Sequence, residues 1–348
     1  MDRILRVVVV DDSAYVRKVV REILSRSPFV EVVGTARDGR EALDLVEQLD
    51  PDVVTCDLIM PELDGVGFVR EQMQRRPVPI IIMSIANETA EAALTALDAG
   101  AIDFVQKPTA LASEKIFEVS AELLEKVKAA GQISLKKIPV EPLPPVTRSE
   151  SAKKITGSHS VDVVVLGIST GGPQALKRMI PQFPADFPVP ILMVMHMPVG
   201  YTEMYAAKLN ELASLEVREA KEGDEIKPGR VFLAAAGRHL SVKRDESGKI
   251  VTHLDSKPFS TLHRPSVDVL FQSAAEVYGK RVLGVVMTGM GSDGKQGAAW
   301  IKSQGGLVFT EAESSCVVYG MPSVVVEAGL SDKSVPLEDM ARAIREVV

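Results

Sequence analysis

Short apolar runs recur along the chain, each closed by polar residues and followed by helical periodicity. Val7 to Val10 are four valines, and Asp11-Asp12-Ser13 then opens an amphipathic stretch to about Arg26. Val30–Ala36 predicts a second strand, with Asp38 near the start of the helix behind it. The runs Val53-Val54-Thr55-Cys56-Asp57, 79–84 and 103–108 repeat the theme. Strand and helix alternate, which predicts a doubly wound parallel sheet in the first part of the chain. The residues Asp11, Asp12, Asp57, Ser84 and Lys107 then all fall at carboxyl ends of strands, where such sheets bind ligands.

The second half shows the same alternation with different punctuation. Val161, Asp162 and then Val163 to Leu166 lead into Gly167-Ile168-Ser169-Thr170-Gly171-Gly172-Pro173. The β-branched run reads as a central strand covered on both faces. Pro173 suits a first helical position, so Ser169 stands at a strand-to-helix corner beside free helix amides. That corner suits a nucleophile whose attack creates a negative oxygen, and its G-x-S-x-G spacing is that of a nucleophile elbow. Plain packing or phosphate binding would use a similar turn. A second buried run, 189–195, ends at His196, which favours a general base over a surface histidine. A third, 281–287, ends in Thr288-Gly289-Met290-Gly291-Ser292-Asp293-Gly294, with a helix from Lys295 to Ser303. Asp293 taken alone reads as a cap of that helix. Together the three turns put Ser, His and Asp on one rim.

Composition narrows the function without adding to the fold. The 348 residues suffice for two domains, and 46% hydrophobic with 25% charged residues is ordinary for a globular protein. A net charge of -7, with no markedly basic helix after residue 156, argues against a nucleic-acid partner. Two cysteines outside any CxxC fit a reducing compartment, and neither a signal peptide nor a membrane-length apolar run is expected, so the expected location is cytoplasmic without membrane insertion. Pro139, Pro142, Pro144 and Pro145 stiffen a polar stretch that reads as a linker. The expected division is 1–125, a linker over 126–156, and a second α/β domain over 157–348.

Three carboxylates at one sheet edge repel unless a cation sits between them, and Mg²⁺ is the natural hard ion. Asp11 or Asp12 could instead be only a helix cap. With these five polar residues, residues 1 to about 125 resemble the receiver domain of two-component response regulators, a flavodoxin-like fold. The resemblance implies that Asp57 accepts a phosphoryl group from a histidine kinase. It implies that Asp11, Asp12, Asp57 and the Ile59 carbonyl hold Mg²⁺, that Lys107 and Ser84 support the phosphorylated site, and that Phe104 is the aromatic switch. The cis-prone Lys107-Pro108 bond fits the same pattern.

The chain order Ser…His…Asp differs from that of α/β-hydrolases. With a receiver in front and GISTGGP, MVMHMP and MTGMGSDG behind, the whole chain resembles the CheB family of chemotaxis protein-glutamate methylesterases. That resemblance implies a C-terminal parallel-sheet serine esterase with Ser169 as nucleophile, His196 as base and Asp293 orienting it. It implies that Thr170 lines the site and that the Met290 amide serves the oxyanion hole. The implied substrate is γ-glutamyl methyl esters of methyl-accepting chemotaxis receptors, with methanol released, glutamine deamidation by the same chemistry, and no cofactor for the ester step. His239, His263 and Cys316 lie in family-like segments; lining of the substrate groove and polar loop packing explain the two histidines about equally well, and Cys316 is a weaker rival nucleophile. His159 and His253 receive none, and Trp300 reads as core. An interaction module without turnover is the competing class; loss of Ser169, His196 or Asp293 would have favoured it.

Overall fold

The computed structural model describes residues 3–85, 90–107, 113–133, 161–258 and 260–348, with the side chains of 113–118 excluded. The chain divides into two compact units, Met1–Val140 and Glu141–Val348. The first alternates β1 (Leu5–Val10), α1 (Ala14–Leu24), β2 (Val30–Ala36), α2 (Gly39–Leu49), β3 (Val53–Asp57), α3 (Gly65–Arg75), β4 (Ile80–Ser84), α4 (Ala90–Asp98), β5 (Asp103–Gln106) and α5 (Ser113–Ala130). The parallel strands lie in the order β2-β1-β3-β4-β5. Chain direction across the sheet reverses between β1 and β3, so the crevice opens where Asp11 and Asp57 end their strands. The valines of β1 and the isoleucines of β4 are wholly buried because helices cover both faces.

Caps in this unit follow local chemistry. Ser13, and neither neighbouring aspartate, caps α1 by accepting the Val16 amide at 3.4 Å. Asp38 caps α2 through the Arg40 and Glu41 amides, both at 2.9 Å. Freed from capping, Asp11 and Asp12 remain available at the strand end. Helix α5 continues to Ala130, into the stretch expected as linker, and that stretch lies outside the described residues from 134 on. Pro108 and His159 also lie outside the described residues.

The second unit is built on a seven-stranded, all-parallel sheet. Its elements are β6 (Val163–Ile168), α6 (Gly172–Met179), β7 (Ile191–Met195), α7 (Thr202–Leu212), β8 (Glu216–Glu219), β9 (Arg230–Leu233), β10 (His239–Arg244), β11 (Ile250–Asp255), α8 (Val267–Tyr278), β12 (Val282–Val286), α9 (Lys295–Ser303), β13 (Leu307–Glu311), α10 (Met321–Glu327), β14 (Lys333–Val335) and α11 (Leu337–Arg345). The order is β14-β13-β12-β6-β7-β9-β8, with β10 and β11 forming a separate antiparallel hairpin. Strand β6 is central: Val163 pairs with Val282 on one side and Ile168 with Met195 on the other. Chain direction reverses between β12 and β6, which puts the crevice beside Ser169. Residues Val163 to Leu166 are 0% exposed, each contributing about 1.5–3 kcal/mol by burial. Trp300, expected in the core, is 42% exposed. On α9 the inward positions are Gly297, Ala298 and Ile301, and the helical period turns Trp300 outward.

Candidate active site

The rim of the second unit is assembled at the carboxyl ends of β6, β7 and β12. Ser169 follows β6 and precedes α6, whose start is set by Gly171 in the left-handed region (φ 81°) and a proline in its first turn. The turn is tight: the Gly172 amide reaches the Ser169 carbonyl at 2.7 Å. Across it lies Gly289, where a Cβ would come within 2.7 Å of the Ser169 Cβ, so only glycine lets the two turns approach this closely. The Ser169 amide donates to the Thr288 carbonyl at 2.9 Å, and the Thr288 hydroxyl donates to the Thr170 carbonyl at 2.9 Å. Thr170 itself is buried.

His196 follows β7, and its amide donates to the Ile168 carbonyl at 3.2 Å, which holds it beside the residue preceding Ser169. Its Nε2 lies 2.8 Å from Asp293 Oδ2. The opposite nitrogen, Nδ1, is buried and has no hydrogen-bond partner among the described residues. The His263 ring stacks on the His196 ring with centroids 4.0 Å apart.

Asp293 does not cap the helix that follows it. The start of α9, at Gly294, has no side-chain cap, and the Gly294 and Gly297 amides are instead bound by Asp268 Oδ1 at 2.9 and 2.7 Å. Asp293 in turn takes the amides of Val267 (2.8 Å) and Asp268 (3.0 Å) at the start of α8, with the Ser266 hydroxyl at 2.9 Å. Each aspartate thus binds the N-terminal amides of the other's helix. Burial opposes ionisation of Asp293, but His196 and the amides outweigh it and hold the carboxyl well below the usual range. Asp268 goes the other way: burial, with Asp293 nearby, pushes it up to about 6 despite its amide donors.

His239 supports the same loop. Its Nδ1 accepts the Ser266 amide at 3.2 Å, which leaves Nε2 as the N–H facing the Pro258 carbonyl at 3.1 Å. Burial lowers its pKa and keeps the ring neutral. Cys316 is buried and free of disulfide bonding.

Two family models match the chain: the response regulator receiver domain over residues 7–118 and CheB methylesterase over 164–344. The second alone spans just over half of the sequence. The chain belongs to the CheB methylesterase family. This CheB-family chain is 49% identical to a protein-glutamate methylesterase/protein-glutamine glutaminase of Myxococcus xanthus, over 99% of this chain and 98% of that one. It is 44% identical to a protein of the same description from Symbiobacterium thermophilum, over 100% and 98%. The crystal structure of the Thermotoga maritima CheB methylesterase catalytic domain superposes with a TM-score of 0.53 at 41% identity, covering 54% of this chain and 100% of that one.

On the receiver rim, carboxylate oxygens of Asp11, Asp12 and Asp57 lie within 4.8 Å of one another. Lys107 Nζ is 2.7 Å from Asp57 Oδ2 and 3.0 Å from Asp11 Oδ2. Burial raises the Asp11 pKa against the pull of Lys107, a strain that a divalent cation would relieve. Three hard oxygen donors at this spacing suit Mg²⁺. Ser84 and Phe104 are buried, Ile59 is 62% exposed in the loop after β3, and the Lys126 ammonium lies 5.8 Å from the Phe104 ring centroid. Receiver membership implies phosphorylation, typically with Mg²⁺, and a histidine kinase as partner. Among the described residues no helix is long and apolar enough to cross a membrane.

The sequence reading missed Asp268, Ser266 and the support role of His239. The tripeptide Ser266-Val267-Asp268 at a helix start carries a capping signal, but nothing local says that its partners lie some 26 residues downstream.

Proposed function

We propose that the chain is a phosphorylation-regulated protein-glutamate methylesterase of chemotaxis receptors that also deamidates receptor glutamines. Ser169 Oγ attacks the γ-carbonyl while His196 Nδ1 takes its proton. The C–OCH₃ bond then breaks, and methanol leaves with that proton. Water attacks the resulting acyl-serine as His196 Nδ1 takes its proton; the bond from the acyl carbon to Ser169 Oγ then breaks, His196 returns the proton to Oγ, and glutamate departs. For glutamine the leaving group is ammonia. Asp293, anionic at any working pH, holds Nε2–H and stabilises the imidazolium. The observation that carries this reading is the imidazole with one nitrogen fixed by Asp293 and the other buried without a partner among the described residues.

The Ser169 amide already donates to Thr288, so the developing oxyanion needs other donors. The Met290 amide, next to Gly289 on the facing turn, is assigned to it. In the receiver, Asp57 takes the phosphoryl group, with Asp11, Asp12 and the Ile59 carbonyl completing the Mg²⁺ set. Lys107 supplies positive charge, Ser84 a hydroxyl, and Phe104 the switch. The ion supplies charge neutralisation for the incoming phosphoryl group. The two cysteines, neither of them in a disulfide, support a reducing, cytoplasmic setting.

The test is methanol released from methylated receptor membranes, with and without Mg²⁺ and a small phosphodonor. Release that rises with the donor and vanishes in Ser169→Ala is expected. No release under either condition rejects the reading.

A further inference from the structure

Glu311 ends β13 as a wholly buried carboxylic acid that the hydrolytic steps leave unused. Its Oε2 accepts the Thr288 amide at 2.9 Å and its Oε1 accepts the Ser315 hydroxyl at 2.9 Å. Ser315 Oγ also accepts the Leu337 amide at 2.9 Å, tying the cluster to the start of α11. The Ser315 hydroxyl also lies 3.3 Å from the Ala312 carbonyl, so its one proton can serve either acceptor, while Oε2 accepts the Thr288 amide in either ionisation state of Glu311. No cation pairs with Glu311 among the described residues. The titratable groups around it are Cys316, whose Sγ lies 3.8 Å from the Glu311 carbonyl, and Glu338 on α11, itself 3.7 Å from Arg178 on α6. Burial, with a smaller push from Glu338, raises the carboxyl to about 7 against the pull of the Thr288 amide and Ser315 hydroxyl.

Thr288 is what gives this carboxylate a reach into the site. Its carbonyl holds the Ser169 amide, its hydroxyl donates to the Thr170 carbonyl, and the same hydroxyl accepts the Val318 amide at 3.0 Å. Two successive residues of the nucleophile turn thus hang on one threonine whose own amide is bound by Glu311. We propose that Glu311 is a positioning residue for hydrolysis: as a carboxylate it fixes Thr288, and through it the turn that presents the Ser169 hydroxyl. The proposal rests on Ser169 being the nucleophile.

Two demands on Glu311 then oppose each other. A buried anion without a cation partner costs stability, yet the anion is the stronger acceptor for the Thr288 amide. A neutral glutamine keeps an acceptor for that amide and removes the charge. It should hold the fold at least as well and the turn less firmly.

The test is the rate at which a fluorophosphonate labels Ser169 in the full-length protein, with Mg²⁺ and a phosphodonor present. The Ser169 oxygen forms a bond to phosphorus, and fluoride leaves as the hydroxyl proton goes to His196. Glu311→Gln should label several-fold more slowly at pH 8 with an unchanged or higher unfolding temperature, and should show a shallower rise in rate from pH 6 to 8. Its kcat for receptor ester should fall with KM unchanged. Glu311→Ala, lacking the acceptor, should label at least about tenfold more slowly per folded molecule, as small displacements of a reacting group do. If the alanine variant does not fold, the glutamine variant decides. A glutamine variant with the wild-type rate at every pH, or one whose slower labelling only tracks lost folded protein, overturns the proposal. A wild-type protein whose Ser169 is never labelled overturns both this proposal and the serine mechanism. Wild-type labelling matched by both variants overturns this proposal alone.

Discussion

Asp293 Oδ2 lies 2.8 Å from His196 Nε2, so the imidazole nitrogen left for a proton transfer is Nδ1. The usual arrangement of a serine triad has the carboxylate on Nδ1. Here the carboxylate approaches from the β12–α9 turn, across the start of α8, and fixes the ring from its other end. Asp293→Asn should keep the ring in place but present an amide that can equally stabilise the wrong tautomer. Turnover should fall roughly 10³–10⁴-fold, as when a triad aspartate is replaced. Methanol release by the purified variant measures it, and a loss below tenfold would contradict the assignment.

The same substitution carries a stability signature. The Asp293 carboxyl is held below its ordinary range, so its contribution to stability is present above the unfolded value and is lost as pH falls through the folded one. Asp293→Asn should therefore be less stable than wild type at pH 7, with the gap closing in acid below about pH 4. Thermal unfolding across pH 3 to 8 shows it. A gap that stays constant would mean that the carboxylate is not preferentially stabilised by the fold.

Asp268 should show the opposite trend. Burial pushes it up to about 6, so its contribution is full below the unfolded value and fades as pH rises through the folded one. Asp268→Asn keeps an oxygen for the Gly294 and Gly297 amides and removes the charge. Relative to wild type it should gain stability from pH 4 to 7, by at most about 3 kcal/mol. Parallel unfolding curves for the two proteins over that range would contradict the raised value.

Ser169, His196 and Asp57 were visible in the sequence because each closes an apolar strand with one polar side chain, and a parallel sheet gathers such ends on one edge. Asp293 was harder. Six residues separate it from the end of β12, and a turn of that length permits either a cap or a catalytic partner. The structure removes the cap reading, because Asp293 accepts the amides of Val267 and Asp268, which local periodicity cannot place. Trp300 was misread for a related reason: an aromatic in a short helix counts as core until the helix face is known. Glu311 reads in sequence as one more polar strand end, and only its burial separates it from a solvated carboxylate.

On the receiver, Lys107 bridges Asp57 and Asp11 at 2.7 and 3.0 Å, leaving Asp12 exposed at the outer side of the carboxylate set. Asp57→Asn should leave the fold intact and keep basal methanol release. It should abolish the rise produced by Mg²⁺ and a phosphodonor. Wild-type activation in this variant would place control outside Asp57.

Ser169→Ala tests the covalent step itself. The substitution removes one oxygen from a corner whose backbone is fixed independently, by the Ser169 amide on Thr288 and the Gly172 amide on the Ser169 carbonyl. Packing, unfolding temperature and phosphorylation of Asp57 should therefore stay close to wild type. Turnover should fall by several orders of magnitude, because the proposed mechanism assigns the acyl-enzyme bond to the Ser169 oxygen. Cys316 is no substitute: it is buried, and its Sγ is directed to the Glu311 carbonyl. The double variant Ser169→Ala/Asp293→Asn should be little worse than Ser169→Ala alone. In the proposed mechanism Asp293 affects turnover through the imidazole, and without Ser169 there is no acyl-enzyme for the imidazole to form or hydrolyse, so their losses should not add. Methanol release by the three variants, each corrected for folded protein, closes the cycle. Multiplying losses would show that Asp293 contributes by a route independent of Ser169, and near-normal release by Ser169→Ala would end the serine mechanism.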